Sequence, residues 1–271
     1  MKERLDILLV ERGFFTTREK AKRNVMAGNI IVNEKKIDKP GTFIKLEPEP
    51  IIRVKGESCP YVSRGGYKLE KSIKEFNLDM KDKIILDVGS STGGFTDCSL
   101  QNGCKFVYSV DVGTNQLEYK LREDKRVKSI EGMHVKDLTL KDLENNKPDM
   151  IVMDVSFISI TKVIPLLIKF FHEETKLMVL IKPQFEVGKE NMEKGGIIRD
   201  KRKHKEVLKN IIKMADSENL NIHNLDFSPI KGGKGNVEYL ALFSLQEGNK
   251  EYSEQELEKI IRLGETLGGE L

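Results

Sequence analysis

Four charged side chains close strands whose pattern is that of an open parallel sheet, where ligands bind outside the carboxyl ends of the strands. Asp87 sits near the tip of the apolar run Ile84-Ile85-Leu86-Asp87-Val88. Asp111 follows Phe106–Val110, Asp154 follows Met150–Met153, and Lys182 follows Lys176–Ile181, with Pro183 ending that strand. After the first run comes a glycine-rich turn, Gly89-Ser90-Ser91-Thr92-Gly93-Gly94, and then a helix-compatible stretch. The turn reads D-x-G-x-x-x-G-G and matches neither phosphate-binding fingerprint, G-x-G-x-x-G or G-x-x-x-x-G-K-[ST]. A nucleotide diphosphate wants bare N–H groups and no nearby anion. A carboxylate at the strand tip suits instead a ligand bearing an ammonium or sulfonium, such as S-adenosylmethionine (SAM). The alternative for this turn alone is an ordinary strand-to-helix connection with a capping Asp. Asp111 strengthens the ligand reading, because it lies where Rossmann-like folds put a ribose-binding carboxylate.

Lys182 admits two readings as well. One is an ion pair with the neighbouring carboxylates. The other is a proton acceptor, which requires the amine to lose a proton from an ordinary pKa of about 10.4. Burial, a bound sulfonium or a second lysine would push in that direction, and Asp154 would oppose it while orienting the amine.

These groups need a βα scaffold to hold them, and the chain supplies one. Further strands are predicted at Val127–Ile130, Leu220–Phe227 and Val237–Leu245, the last antiparallel after the glycine-rich return 229–236. Helices are predicted at Tyr67–Asn77, with Gly65-Gly66 as a tight turn before it, and at Thr139–Leu143 and Lys201–Asp216. Another is predicted at Ser159–Phe171 with Pro165 inside it, and an acidic one over 250–263. The expected fold is α/β, a Rossmann-like, seven-stranded, mostly parallel sheet with an antiparallel last strand.

Ahead of it, residues 1–57 read as a compact basic α+β unit. Leu5, Leu8, Leu9 and Arg12 mark a first helix ended by Gly13. Thr16 or Thr17 caps a second, with Ala21, Val25 and Met26 as its apolar side and Arg18, Lys20, Lys22 and Arg23 against the single acid Glu19. A strand and turn follow at Ile30–Lys36 and strands at Phe43-Ile44 and Ile51–Val54, and the Pro- and Glu-rich stretch 47–60 reads as a boundary. Composition fits two folded units: 271 residues, 38% hydrophobic and 33% charged, with a net charge of only +3. Such a total does not demonstrate nucleic-acid binding, so the distribution of charge must carry it. Three cysteines, Cys59, Cys98 and Cys104, form no C-x-x-C pair and fit a reducing compartment without zinc or disulfides. The stretch MKERLDILLVERG carries charges within its apolar segment and reads as no signal peptide, and no apolar run is long enough for a membrane span.

The first unit resembles the S-four-type RNA-binding domain, or αL motif, through Arg4-Leu5-Asp6, Leu9-Val10, Gly13, Arg18, Ala21, Gly28, Ile31-Val32-Asn33 and Lys39-Pro40. The whole chain resembles the TlyA family of hemolysin-A-like rRNA methyltransferases, which join that domain to an FtsJ-like methyltransferase. The resemblance rests on Ser63-Arg64-Gly65-Gly66 with Lys68-Leu69 and on Asp87–Asp97. It continues through Asp154–Ser159, Ile181–Glu186 and Gly235-Asn236-Val237-Glu238. It implies a class I SAM-dependent methyltransferase fold, with a domain at 1–57, a linker at 58–66, a methyltransferase domain at 67–247 and a helical tail at 248–271. It implies ribose 2′-O-methylation, of a cytidine, with a Lys-Asp-Lys-Glu tetrad that falls on Lys68, Asp154, Lys182 and Glu238. From the residues alone, Lys68 reads as a surface lysine and Glu238 as a solvent-facing strand residue. Cofactor contacts are expected from Asp87, Gly89, Ser90, Ser91, Thr92, Gly93, Gly94, Phe95, Asp111 and Val112. Gly132-Met133-His134 departs from the family's run for the adenine. RNA contacts are expected from Arg4, Arg18, Lys20, Lys22, Arg23, Lys35, Lys36 and Arg64. The implied cofactor is SAM, the partner ribosomal RNA in ribosomal subunits, and the compartment the cytoplasm, with no metal and no membrane. The competing classes are a membrane-active cytolysin, as the family's older name has it, and an RNA-binding protein with an inactive methyltransferase fold.

Overall fold

The structure is a computed structural model that describes residues 2–33, 35–47, 50, 52–54 and 59–266. Glu34 of the predicted turn, Ile51 of a predicted strand, residues 48–49 and 55–58 of the predicted boundary and the tail from 267 lie outside the described residues. The chain forms two compact units that divide between Pro60 and Tyr61.

In the first unit, β1 (Lys2–Arg4) leads into α1 (Leu5–Glu11) and α2 (Arg18–Met26). Four more strands follow: β2 (Ile30–Val32), β3 (Lys35–Ile37), β4 (Phe43–Lys45) and β5 (Ile52–Val54). β1 pairs antiparallel with β4, and β2 lies between β3 and β5 in a second antiparallel sheet. Leu5, Leu8 and Leu9 share one helix face and bury it against Ala21, Val25, Ile30, Val32 and Ile44. Thr17 is the cap of α2, its Oγ1 accepting the Lys20 N–H at 3.3 Å. Met26, expected on the apolar side, is 65% exposed, because the helix ends there and only Ala21 and Val25 face the core.

The second unit runs α3 (Gly65–Glu75), β6 (Ile84–Val88), α4 (Gly94–Gln101), β7 (Phe106–Asp111), α5 (Tyr119–Arg122), β8 (Val127–Glu131) and β9 (Met150–Met153). It continues with α6 (Ile160–Leu167), β10 (Lys176–Ile181), α7 (Pro183–Glu186), α8 (Lys201–Ser217), β11 (Asn221–Phe227), β12 (Tyr239–Ser244) and α9 (Glu254–Thr266). Seven strands form one sheet in the order β11-β12-β10-β9-β6-β7-β8. β6 to β10 are parallel, and β12 is antiparallel to both its neighbours, as expected of a last strand returning by a hairpin. The central strands are buried on both faces, which is why they read as continuous apolar runs. The chain moves outward from β6 through β7 to β8 and then returns to β9 on the other side of β6. That reversal opens a crevice at the carboxyl ends of β6 and β9.

Four expectations need correction. Thr139–Leu143 is a run of turns, not a helix: Asp142 accepts from both the Thr139 N–H and hydroxyl, and positive φ at Glu144 and Asn145 ends the winding. Gly65 and Gly66 lie in the first turn of α3 rather than in a turn before it. They are small because α3 packs close: a Cβ on Gly66 would strike the Tyr61 ring. Residues 61–66, expected as linker, belong to the second unit, with Tyr61 buried. The C-terminal helix begins at Glu254 and buries Leu257 and Ile261 in the main core rather than forming a separate tail. It also neutralises the basic start of α8, through Lys201–Glu265 at 2.6 Å and Lys205–Glu258 at 2.8 Å. No helix among the described residues is long and apolar enough to cross a membrane.

Candidate active site

The strand order lays the charged groups out along one edge. The glycine turn follows β6, Asp154 follows β9, Lys182 follows β10, and Glu238 precedes the antiparallel β12. They meet at a cleft of about 350 Å³ whose wall includes Lys68, Asp154 and Lys182 together with Gly89, Ser90, Ser91, Thr92, Gly94 and Phe95.

Lys68 is not a surface lysine. It lies in the first turn of α3, is only 7% exposed, and its Nζ is 2.8 Å from Glu238 Oε2 and 3.4 Å from Asp154 Oδ2. Glu238, 2% exposed, is likewise no solvent-facing residue, and a Cβ on Gly232 would collide with its Oε1. Lys182 reaches Asp154 Oδ1 at 2.5 Å and donates to Ser156 Oγ at 2.8 Å. Asp154 therefore bridges two ammonium groups, and Lys68 bridges two carboxylates. Burial pushes the Lys68 pKa down, but Asp154 and Glu238 outweigh it and hold it above the ordinary lysine value. Burial works against ionised Asp154 in the same way, and Lys68 and Lys182 overcome it, so its pKa lies below the usual carboxylate value. The array holds Lys68 as a fixed cation and Asp154 as a fixed anion.

The turn beneath fits an adenosyl cofactor. Gly89 and Gly93 have φ of +81° and +94°, and a Cβ on Gly89 would lie 2.8 Å from the Asp154 carbonyl oxygen. Asp111 Oδ2 accepts the Ser91 N–H at 2.8 Å and Oδ1 the Gly113 N–H at 2.7 Å, which fixes a carboxylate beside the turn at the end of β7. Val112, 67% exposed, follows it. Asp87 departs from expectation. It is wholly buried below the turn and off the cleft wall, its Oδ2 accepting the Thr96 hydroxyl at 2.6 Å. Its Oδ1 has no hydrogen-bond partner among the described residues. Burial, with smaller contributions from Asp154 and Asp111, pushes its pKa up to about 7. Its position supports the turn from inside rather than offering a charge to a ligand.

The residues nominated for RNA fall into two groups. Arg4 and Arg18 both hold Asp6, which is fully buried, at 3.0 and 2.8 Å. Lys20 donates to Thr16 Oγ1 at 3.2 Å. Arg23, Lys35 and Lys36 are exposed, Lys22 is half-buried, and Arg64 lies on the cleft wall of the second unit.

Three residues escaped role assignment from sequence. Ser156 holds Lys182. Lys231 lines the cleft from the loop before β12. Phe157 is 92% exposed at φ +65°, three residues after Asp154, its ring 5.1 Å from that of Phe185. A phenylalanine held bare at a positive φ is a signal only coordinates give.

A parallel sheet with this strand order, a glycine turn at its switch point and an antiparallel last strand defines a class I methyltransferase fold, here preceded by a small α+β unit. Family models match both parts, FtsJ-like methyltransferase over residues 61–245 and S4 domain over residues 3–47. The chain is 48% identical over 264 residues to YqxC of Bacillus subtilis (strain 168), covering 97% of this chain and 93% of that protein. It is 33% identical to the 16S/23S rRNA (cytidine-2′-O)-methyltransferase TlyA of Mycobacterium tuberculosis, covering 87% of each. A solved Streptococcus thermophilus structure that bears the hemolysin name superimposes with a TM-score of 0.77 at 42% identity, covering 98% of this chain and 96% of that one. The chain belongs to the TlyA family of FtsJ-like methyltransferases.

Proposed function

We propose that this protein methylates a ribose 2′-hydroxyl of ribosomal RNA, a cytidine being the target, using SAM in the cytoplasm. The observation that carries the reading is the Lys182–Asp154–Lys68–Glu238 array at the cleft beside the glycine turn. The name of the TlyA relative supports the substrate and the nucleotide. When bound at Gly89–Thr92, with Asp111 for its ribose, the cofactor supplies a methyl group on a positively charged sulfur. Lys68, kept protonated between Asp154 and Glu238, stabilises negative charge developing on the 2′-oxygen. Lys182, aimed by Asp154 and Ser156, accepts the hydroxyl proton as the free amine, after giving its own proton to solvent. The bare Phe157 ring offers a flat face on which a nucleobase stacks, which would hold the ribose in register. Exposed cations of the first unit, Arg23, Lys35 and Lys36 among them, bind RNA phosphates.

The test is methyl transfer from labelled SAM to ribosomal subunits of a strain lacking the gene, followed by digestion to nucleosides. Labelled 2′-O-methylcytidine is the expected product; label on a base alone, or none, overturns the reading. Lys182→Ala lowers the single-turnover rate by about 10²–10⁴-fold with little change in SAM affinity. Lys182→Arg fails too, since a guanidinium does not give up its proton at usable pH. Near-normal turnover by Lys182→Arg removes Lys182 from the role.

A further inference from the structure

Four cations line the cleft: Arg64, Lys68, Lys182 and Lys231. Lys68 and Lys182 are committed to Asp154, Glu238 and Ser156. Arg64 and Lys231 make no ion pair or hydrogen bond to another side chain among the described residues. The cleft thus keeps positive charge that no described residue neutralises.

The backbone on either side of Lys231 is fixed. On one side the Ser228 hydroxyl donates to the Ile230 carbonyl at 2.8 Å, and Ile230 is buried. On the other, the Gly232 N–H donates to the Asn236 carbonyl at 2.9 Å, and Gly232 presses against the Glu238 carboxylate too closely to admit a Cβ. The Ser228 N–H in turn donates to the Glu238 carbonyl at 2.8 Å. The backbone that carries Lys231 is thereby tied at both ends to the segment that carries Glu238.

Strand order decides which anion it meets. β12 is separated from β6 by β10 and β9, three strand spacings or about 14 Å. Lys231 adjoins Gly232, which lies against the Glu238 carboxylate, so it enters the cleft from the Glu238 side. In RNA, the 2′-hydroxyl and the 3′-phosphodiester sit on adjacent carbons of one ribose. A group that binds that phosphate must stand beside the groups that handle the hydroxyl. We infer that Lys231 is a phosphate-binding residue for the acceptor RNA, gripping the phosphodiester next to the target ribose. The inference rests on the ribose-methylation reading above. A contact so close to the reacting centre orients the hydroxyl as well as adding affinity.

The test uses the full chain, labelled SAM and unmethylated ribosomal subunits under single-turnover conditions. Lys231→Ala lowers the rate by about 10- to 100-fold and leaves SAM affinity and melting temperature unchanged. The salt dependence of subunit binding, log affinity against log salt, becomes shallower by about 0.7–0.9 per lost phosphate contact. Lys231→Arg restores both rate and slope. An unchanged rate or slope in Lys231→Ala overturns the inference, as does a loss of SAM affinity, which would assign the cation to the cofactor's carboxylate. A drop in melting temperature without rescue by Arg would make it structural and equally overturns it. Wild-type protein that puts no methyl on rRNA ribose brings down the function reading itself, whereas an active wild type with an unaffected variant removes Lys231 alone.

Discussion

Replacing Asp87 by Asn isolates the cost of a buried carboxyl under the glycine turn. Asn keeps the shape and the acceptor for the Thr96 hydroxyl but has no proton to lose. In the denatured chain the Asp ionises near about 3.9, whereas in the folded protein burial pushes it up to about 7. Between those values the denatured state releases a proton and the folded state keeps its own, so stability falls as pH rises and levels off above the folded value. From about pH 5 to about pH 8 this one group removes roughly 2–3 kcal/mol. Asp87→Asn has no such slope, so its stability relative to wild type grows by roughly 2–3 kcal/mol between about pH 5 and about pH 8. Urea unfolding read through amide exchange in β6 and β7 reports this unit alone, and comparing the two proteins cancels most other titrations. Equal slopes would refute the reasoning, because they would mean that Asp87 is already ionised in the fold.

Gly89→Ala forces a Cβ against the Asp154 carbonyl at a φ of +81°. It costs about 1–2 kcal/mol of backbone strain and displaces Asp154, so calorimetry shows weaker SAM binding and methyl transfer falls as well. Asp6→Asn releases the Arg4 and Arg18 guanidiniums from a fully buried carboxylate. Ordering them again on RNA reduces affinity for ribosomal subunits about fivefold or more in filter binding, while calorimetry finds SAM affinity unchanged.

The elements most readable in the sequence were those buried on both faces. β6, β7, β9 and β10 announce themselves as apolar runs with a charged residue at the tip, and the glycine turn marks the crevice because only glycine tolerates its backbone. β1 and α5 escaped notice, being three and four residues long. Thr139–Leu143 misled because a helical composition says nothing of the side-chain bonds that close it into turns. Asp154 and Lys182 could be assigned to the ligand edge from strand ends alone, whereas Lys68 and Glu238 were known only through family resemblance.

By itself the sequence determined the two units, the parallel sheet and the position of its ligand edge, because burial on both faces and backbone constraint at glycine are local properties. Which charges meet was decided by the tertiary structure. Lys68 finds Asp154 across 86 positions of sequence, and Glu238 reaches Lys68 only because β12 inserts beside β10. The same holds for what is exposed and what is not: Asp87 vanishes beneath its turn, Phe157 stands bare, and Lys231 keeps a charge with no side-chain partner among the described residues. Residue type sets what a side chain can do, but its partners and solvent access follow from contacts between distant segments, which only the folded chain brings together.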